Sequence, residues 1–437
     1  MKKGNPAALL PIGVFLVIYL GLGLIFEYAM HIPMGFYNVP IVIAFLIAIL
    51  TACLQNRAVS FENKLAIMGQ GVGDKNIITM LLIFMVAGAF VGVVGRSSAQ
   101  SVAYFMLDLI PARFAVAVIF IVACFVSTAM GTSVGTITLL TPIAVEVAQT
   151  AGISAALCIG SVVGGAMFGD NLSFISDTTI AACNGQGCAM KDKFHGNFAI
   201  ALPAAIVSLV LILLSTRMPG EGVTFSGNYN LLQILPYLVV MIGGIIGINV
   251  FVVLIIGIVS GSVIMLATGG VADFYTLLGN MGGGVSGMFE TSMVAVLVAA
   301  MCALIREHGG FDALLYGIQR VFKGKKNGQL GMGLLVGAMD IATANNTVAI
   351  VMANPIAKEM AETYGVSNKK TASILDTFSC VFQGIIPYGA QMLVAISAVT
   401  ELGYEISAFQ IIPNLFYPFM LLISSLVFIF LVPEKKK

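Results

Sequence analysis

Long apolar runs, broken in a few places by short polar clusters, set the pattern of this chain. In the first half they predict membrane-spanning helices near 8–30, 36–54, 77–95, 154–182 and 197–216. In the second half they predict spans near 231–248, 250–268, 288–305, 371–398 and 409–432. A helix needs about 20 mainly apolar residues to cross the hydrocarbon core. Each half holds a further long element between its third and fourth spans, 113–150 and 330–363. The first is interrupted by Gly131-Thr132-Ser133-Val134-Gly135-Thr136, the second by Asp340-Ile341-Ala342-Thr343-Ala344-Asn345-Asn346-Thr347. Both read as re-entrant hairpins with polar tips. The third spans begin 211 positions apart, the same spacing separates Gly131 from Ala342, and Gly-rich stretches (Gly69–Gly73, Gly282–Gly287) precede both third spans. The spacing predicts two repeats, 1–220 and 221–437, each with five spans and one hairpin. An odd number of crossings per repeat inverts the second relative to the first.

Charge tests this topology. With the N-terminus inside, all Lys and Arg fall on the cytoplasmic side except Arg96, Arg113 and Arg217, out of 21 in all. That satisfies the positive-inside rule and puts both termini in the cytoplasm. Lys191 and Lys193 belong to a cytoplasmic segment in this scheme. The first apolar run is too long for a signal-peptide core and no small-residue cleavage site follows it, so it reads as a retained span. Composition agrees: 59% of residues are hydrophobic and 9% charged, where soluble domains carry about 25% charged residues. This excludes a soluble enzyme and a nucleic-acid-binding protein. The expected class is an all-α polytopic membrane protein with broken helices at the midplane, in a bacterial inner (plasma) membrane. Inverted repeats with broken helices are the architecture of secondary transporters.

Four polar interruptions carry the chemistry: the two hairpin tips and the middles of two overlong spans. Span 154–182 contains Gly169-Asp170-Asn171-Leu172-Ser173-Phe174-Ile175-Ser176-Asp177-Thr178-Thr179, and span 371–398 contains Asp376 and Gln383-Gly384-Ile385-Ile386-Pro387-Tyr388-Gly389-Ala390-Gln391. Unwound backbone within a membrane is tolerated only where it lines a site, and an intramembrane acid is functional by default. Asp170, Asp177, Asp340, Asp376 and Glu290 fall in or near the interior, with no Lys or Arg expected at comparable depth. Hydroxyls and amides of Thr132, Ser133, Thr136, Asn171, Ser173, Ser176, Thr178, Thr343, Asn345, Asn346 and Thr347, with Gln383 and Tyr388, surround them. Such oxygens suit a hard cation, and Na+ is expected at Ser133, Asp170, Ser173, Asp177 and Asn346. Glu146 and Glu27 read as hydrated residues near outer helix ends, and Asp74, Asp192 and Asp312 as solvated loop acids. His31, His195 and His308 fall in loops, and Cys183 and Cys188 form one isolated close pair, a weak metal or disulfide signal.

At these residues the sequence resembles the NhaC family of Na+/H+ antiporters, within the wider ion-transporter superfamily. The likeness rests on Gly131-Thr132-Ser133-Val134-Gly135-Thr136 and on Gly169-Asp170 followed by Ser173-Phe174-Ile175-Ser176-Asp177-Thr178-Thr179. It implies exchange of Na+ for H+, with Asp170, Ser173, Ser176, Asp177 and Thr178 at the site and no resident cofactor. Phe174 stands where the family commonly has Pro, and Gln383–Gly389 looks like a branch whose members move amino acids. The first expectation is therefore an alternating-access Na+/H+ antiporter. The second is a Na+- or H+-coupled carrier of a small amino or organic acid, held by half-helix N-termini in place of a buried Arg. Channel and membrane-enzyme readings fit less well: separate repeated acid sites suit alternating access, and no nucleophile–His constellation is present. The expected partners are the lipid bilayer, Na+ and H+, the small acid under the second reading, a second copy in a homodimer, and no nucleic acid.

Overall fold

In the computed structural model, the described residues are 4–32, 39–173, 176–217, 228–246 and 248–432. Outside them lie the repeat boundary expected at 220/221, Phe174 and Ile175, the start of the span expected at 36–54, and the terminal lysines Lys2, Lys3, Lys435, Lys436 and Lys437. The side chains of Glu27 and Arg96 are also outside them. Every regular element among the described residues is a helix. The first half comprises α1 (Leu10–Leu24), α2 (Ile41–Leu54), α3 (Phe61–Val72), α4 (Lys75–Leu109), α5 (Ala112–Met130), α6 (Ser133–Ala151), α7 (Ala155–Leu172), α8 (Asp177–Gln186) and α9 (Met190–Ser215). The second comprises α10 (Leu231–Ile245), α11 (Val250–Ala267), α12 (Phe274–Gly287), α13 (Phe289–Glu307), α14 (Gly310–Val321), α15 (Lys325–Thr343), α16 (Asn346–Tyr364), α17 (Asn368–Ile385), α18 (Ala390–Glu401), α19 (Ala408–Ile411) and α20 (Phe416–Leu431).

Seven helical segments are long and apolar enough to cross a membrane, or nine if each of two bent pairs counts as one span. Shorter apolar helices lie at Ile41–Leu54, Leu231–Val240 and Phe251–Ala267, within the spans expected at 36–54, 231–248 and 250–268. The Gly-rich stretches preceding the third spans are themselves helical, in α3 and α12. Helix α4 overruns the end expected at 95, carrying one non-helical residue, Gly95 (φ 58°, ψ −171°), and the chain then bends by 119° into α5.

The order of starts refines the repeat spacing. Phe61 and Phe274, Ala112 and Lys325, Ser133 and Asn346, Ala155 and Asn368, and Asp177 and Ala390 all open helices. Each pair lies 213 positions apart rather than the 211 read from the apolar runs. The two-residue difference arises because apolar edges drift along a span, whereas caps and breaks fix a register.

Burial sorts the helices into an inner and an outer set. The segments Ser133–Ala151 and Ala155–Gln186 are each 83% buried and Asn368–Glu401 72%, while Pro6–Leu24 and Met190–Ser215 are 28% and 33% buried. The outer faces carry exposed Val17, Leu24, Leu50, Ile206, Leu214, Ile256 and Val263, which is stable only against lipid. The broken elements therefore form the centre. Without a hydrophobic drive between helices in lipid, close approach depends on small residues. Helix α12 meets α4 where a Cβ on Gly284 would fall 2.1 Å from the Gly88 carbonyl oxygen, and α3 meets α13 where one on Gly71 would fall 2.6 Å from the Ala303 methyl.

Candidate functional site

Four helices begin around one small cavity. Its volume is about 70 Å³, and the first residues of α6 (Ser133), α8 (Asp177), α16 (Asn346) and α18 (Ala390) all line it, with Asp170, Thr178, Asn345, Thr347 and Gln391. Each start has a local cause. Gly131 ends α5 in the left-handed conformation (φ 67°), and extended Thr132 accepts the Gly135 N–H on its hydroxyl at 3.4 Å. At the second tip Ala344 takes the same left-handed role (φ 48°), and Asn345 Oδ1 accepts the Val348 N–H at 3.0 Å. A non-glycine residue there costs about 1–2 kcal/mol, so the second tip stores strain that the first does not. Ser176 caps α8 by accepting the Thr179 N–H at 3.1 Å. Helix α17 stops before Pro387, which has no N–H to continue it.

Asp170 is the hub. It is 4% exposed and sits in the last turn of α7. Ser133 Oγ donates to its Oδ2 at 2.8 Å, Asn346 Nδ2 to the same oxygen at 3.2 Å, and Thr178 Oγ1 to Oδ1 at 3.2 Å. Ser176 Oγ donates to the Asp170 carbonyl at 3.1 Å and lies 2.7 Å from the Thr178 hydroxyl. Helices α6, α8 and α16 thus converge on a single carboxylate of α7. The other broken span reaches it indirectly. Gln391 Nε2 donates to Ser133 Oγ at 3.0 Å, and Gln383 Nε2 donates to Gln391 Oε1 and to the Ala344 carbonyl, each at 2.8 Å. Four helix N-termini supply positive potential at the same place.

A second polar centre lies beside the first, and it corrects the sequence reading. Lys193, expected in a cytoplasmic segment, is 1% exposed. It forms an ion pair with Asp376, itself fully buried. Its ammonium also donates to the Asn171 carbonyl at 2.7 Å and to Thr179 Oγ1 at 2.6 Å. The cation therefore caps the negative C-terminal end of α7 while tying α8 and α17 to it. Asn197, one helical turn along α9, donates to Asn171 Oδ1 at 2.7 Å and to Asp376 Oδ2 at 2.9 Å, and accepts from Ser373 Oγ. Asp340 is also fully buried; it receives one hydrogen bond, from Ser379 Oγ at 3.2 Å, and its Oδ2 has no partner among the described residues.

Of the residues expected to hold Na+, the structure brings Ser133, Asp170 and Asn346 into contact. Asp177 lines the same cavity but is exposed at the first position of α8. Ser173 turns its carbonyl to Thr179 Oγ1 (2.8 Å) and does not line the cavity. Thr178, Thr132, Asn345 and Thr347 are at the cavity wall, and Asn171 serves the Lys193–Asn197 centre. Thr136 bonds back to the Thr132 carbonyl at 3.0 Å, and Thr343 to the Met339 carbonyl at 2.8 Å, so helix back-bonding occupies both hydroxyls. Tyr388 donates to the Ile341 carbonyl at 2.8 Å and packs edge-on against Phe15, a core role. Glu290 borders a separate cavity of about 190 Å³ with Tyr19 and Pro387. Glu146 is 1% exposed, not hydrated as expected. Cys183 and Cys188 are free thiols at the end of α8. The sequence reading missed Lys193, Asn197, Ser373 and Gln391. The signal was present: Lys193 and Asn197 stand four residues apart, on one face of a helix that runs on into 18 almost wholly apolar residues.

A family model described as the Na+/H+ antiporter family matches residues 7–216 and 228–432. The Na+/H+ antiporter NhaC of Alkalihalophilus pseudofirmus is 21% identical over 80% of this chain and 82% of its own. The Na+/H+ antiporter NhaC of Bacillus subtilis is 22% identical over 72% and 77%. The malate-2H+/Na+-lactate antiporter of Bacillus subtilis is 26% identical over 50% and 46%. With the family model spanning nearly the whole chain, this multi-pass membrane protein belongs to the Na+/H+ antiporter family.

Proposed function

We propose that this chain is a secondary transporter exchanging Na+ for H+ at Asp170. The observation that carries the reading is the convergence of Ser133, Asn346 and Thr178 on that carboxylate beside a cavity of about 70 Å³. A hydroxyl that donates to a carboxylate can rotate and offer its oxygen to a cation instead, and Asn carries both kinds of group. Without a cation, three donors satisfy Asp170. With Na+ present, the same side chains become oxygen ligands. With a proton on Asp170, the cation loses its charge partner, so the two ions compete. The cavity has room for an ion and a little water, whereas sites for organic ligands run to roughly 300–1,000 Å³; this favours ion exchange over carriage of an amino or organic acid.

The uniform offset of 213 between helix starts supports two repeats; with five spans and one re-entrant hairpin in each, the second would be inverted, and the distribution of Lys and Arg supports cytoplasmic termini in a bacterial plasma membrane. The hairpin tips and broken spans then lie at the repeat interface, where rocking of one bundle against the other would alternate access. The test is antiport in proteoliposomes holding a pH-sensitive dye, with no organic solute. Wild type should move protons on addition of Na+. Asp170→Asn should be silent, and Asp177→Asn, placed at the rim, should lose Na+ affinity only in part. Silence of the wild type, with flux restored by adding malate or an amino acid, would replace ion exchange by the solute-carrier reading.

A further inference from the structure

A cavity of about 380 Å³, apart from the Asp170 site, lies between α4 and α12 and ends at Glu401. Both carboxylate oxygens of Glu401 are shielded from solvent and have no hydrogen-bond partner among the described residues. Among the described side chains, no Lys, Arg or His lines the cavity. Glu401 is also the last residue of α18, where the helix dipole is negative, and the final turn carries no basic residue to offset it. A charge in that position is opposed by burial and by the helix together. Gly287 packs directly against it: a Cβ there would lie 2.3 Å from Glu401 Oε1, so a side chain at 287 would displace the carboxylate from this position. Opposite stands Gly95, whose non-helical backbone interrupts α4. A break there frees preceding carbonyls from their i+4 partners, and Val91, Gly92 and Asn280 line the same wall.

From this geometry we propose a second alkali-cation site, in which Glu401 holds Na+ with backbone and amide oxygens of the α4 break and α12. A carboxylate, carbonyls and an amide form a hard-oxygen set. The proposal rests on the antiporter reading only for which cation is held. Equilibrium binding of ²²Na+ to the purified full-length protein tests it. Asp170→Asn should retain saturable Na+ binding, and Asp170→Asn combined with Glu401→Gln should lose it. Gly287→Ala in the Asp170→Asn background, which keeps the acid but fills its niche, should weaken that binding about tenfold. Potassium should compete at least tenfold less well. Absence of saturable binding in Asp170→Asn, its survival after Glu401→Gln, or full affinity in Gly287→Ala would each overturn the site. If Glu401→Gln does not purify as folded protein, the Gly287→Ala comparison decides alone. Failure of the Asp170 reading would appear elsewhere, as wild-type antiport by Asp170→Asn.

Discussion

Replacing Lys193 by Ala removes an ion pair and two further hydrogen bonds at once, and leaves Asp376 fully buried without its charge partner, Asn197 still donating to it. Breaking a buried pair by deleting one partner costs about 3–5 kcal/mol, mostly because the other charge is stranded. Asp376→Asn is milder, since Lys193 keeps the Asn171 carbonyl and the Thr179 hydroxyl. The double variant strands neither charge. Two unit charges about 4 Å apart interact by about 4 kcal/mol at an effective dielectric constant near 20, so a double-mutant cycle should return a coupling of about 2–4 kcal/mol. The chain has no Trp, but Cys124, Cys158, Cys183, Cys302 and Cys380 are buried free thiols. A fluorogenic maleimide therefore reports thermal unfolding in detergent. Lys193→Ala should melt lowest, Asp376→Asn nearer to wild type, and the double variant above Lys193→Ala. Strict additivity, or wild-type melting of Lys193→Ala, would refute the account of Lys193 as the staple between α7, α8 and α17.

Three shorter predictions follow from other parts of the fold. Single cysteines at Lys191 and Lys325 in a Cys-depleted variant should resist an impermeant maleimide applied to intact cells; ready labelling of either would reject the cytoplasmic assignment. Ala344→Gly should relieve the left-handed residue at the second tip and raise stability by about 1 kcal/mol, read as a higher melting temperature; a lower one would mean that the Ala344 methyl packs more than it strains. His308, in the turn after α13, is held below its ordinary value of 6.5, first by burial and then by Lys64. Its stabilising contribution is therefore full above pH 6.5 and is lost as pH falls below that value, because the unfolded chain takes up the proton first. His308→Gln should flatten the decline in melting temperature between pH 7 and 5.5, and an unchanged slope would exclude His308 as its source.

The breaks were legible in the sequence because a membrane leaves few reasons for Gly, Pro, Asn and Asp to interrupt an apolar run. Gly131-Thr132, Ser173–Ser176, Ala344-Asn345 and Pro387–Gly389 all became helix ends. Which of the polar residues touch one another was not legible, because that depends on rotation about helix axes brought together from distant positions. Thr136 and Thr343 carry the same group as Thr178, but their own helices absorb them. Lys193 was misplaced because a lysine just before a long apolar run satisfies the positive-inside rule by count alone. Position on the helix face, with Asn197 one turn on, is the signal that separates a buried staple from a cytoplasmic charge.

Four helix N-termini around one cavity would by themselves attract an anion, the expectation for a carrier of small acids. In this protein the anion is already part of the chain. Asp170 occupies the position toward which α6, α8 and α16 direct their first-turn side chains, and its three side-chain donors come from those helices. The N-termini then act to keep a deeply buried carboxylate stable enough to remain without a permanent basic partner. Lys193, the cation nearby, is committed to Asp376 and to the end of α7. Had Lys193 paired with Asp170, a tight internal ion pair would compete with Na+ at every turnover. Separating the two centres by the Asn171–Asn197 hydrogen bonds leaves one carboxylate stabilised by dipoles and hydroxyls; under the exchange proposed at Asp170, a proton would replace a small cation there without a salt bridge being broken first. The 213-residue register sharpens this asymmetry: the position matching Asp170 is Gln383, and the one matching Thr178 is Gln391. The second half therefore contributes a neutral amide bridge to the tip and not a second acid at the equivalent place, so the exchange proposed at Asp170 has no counterpart carboxylate at the matching position.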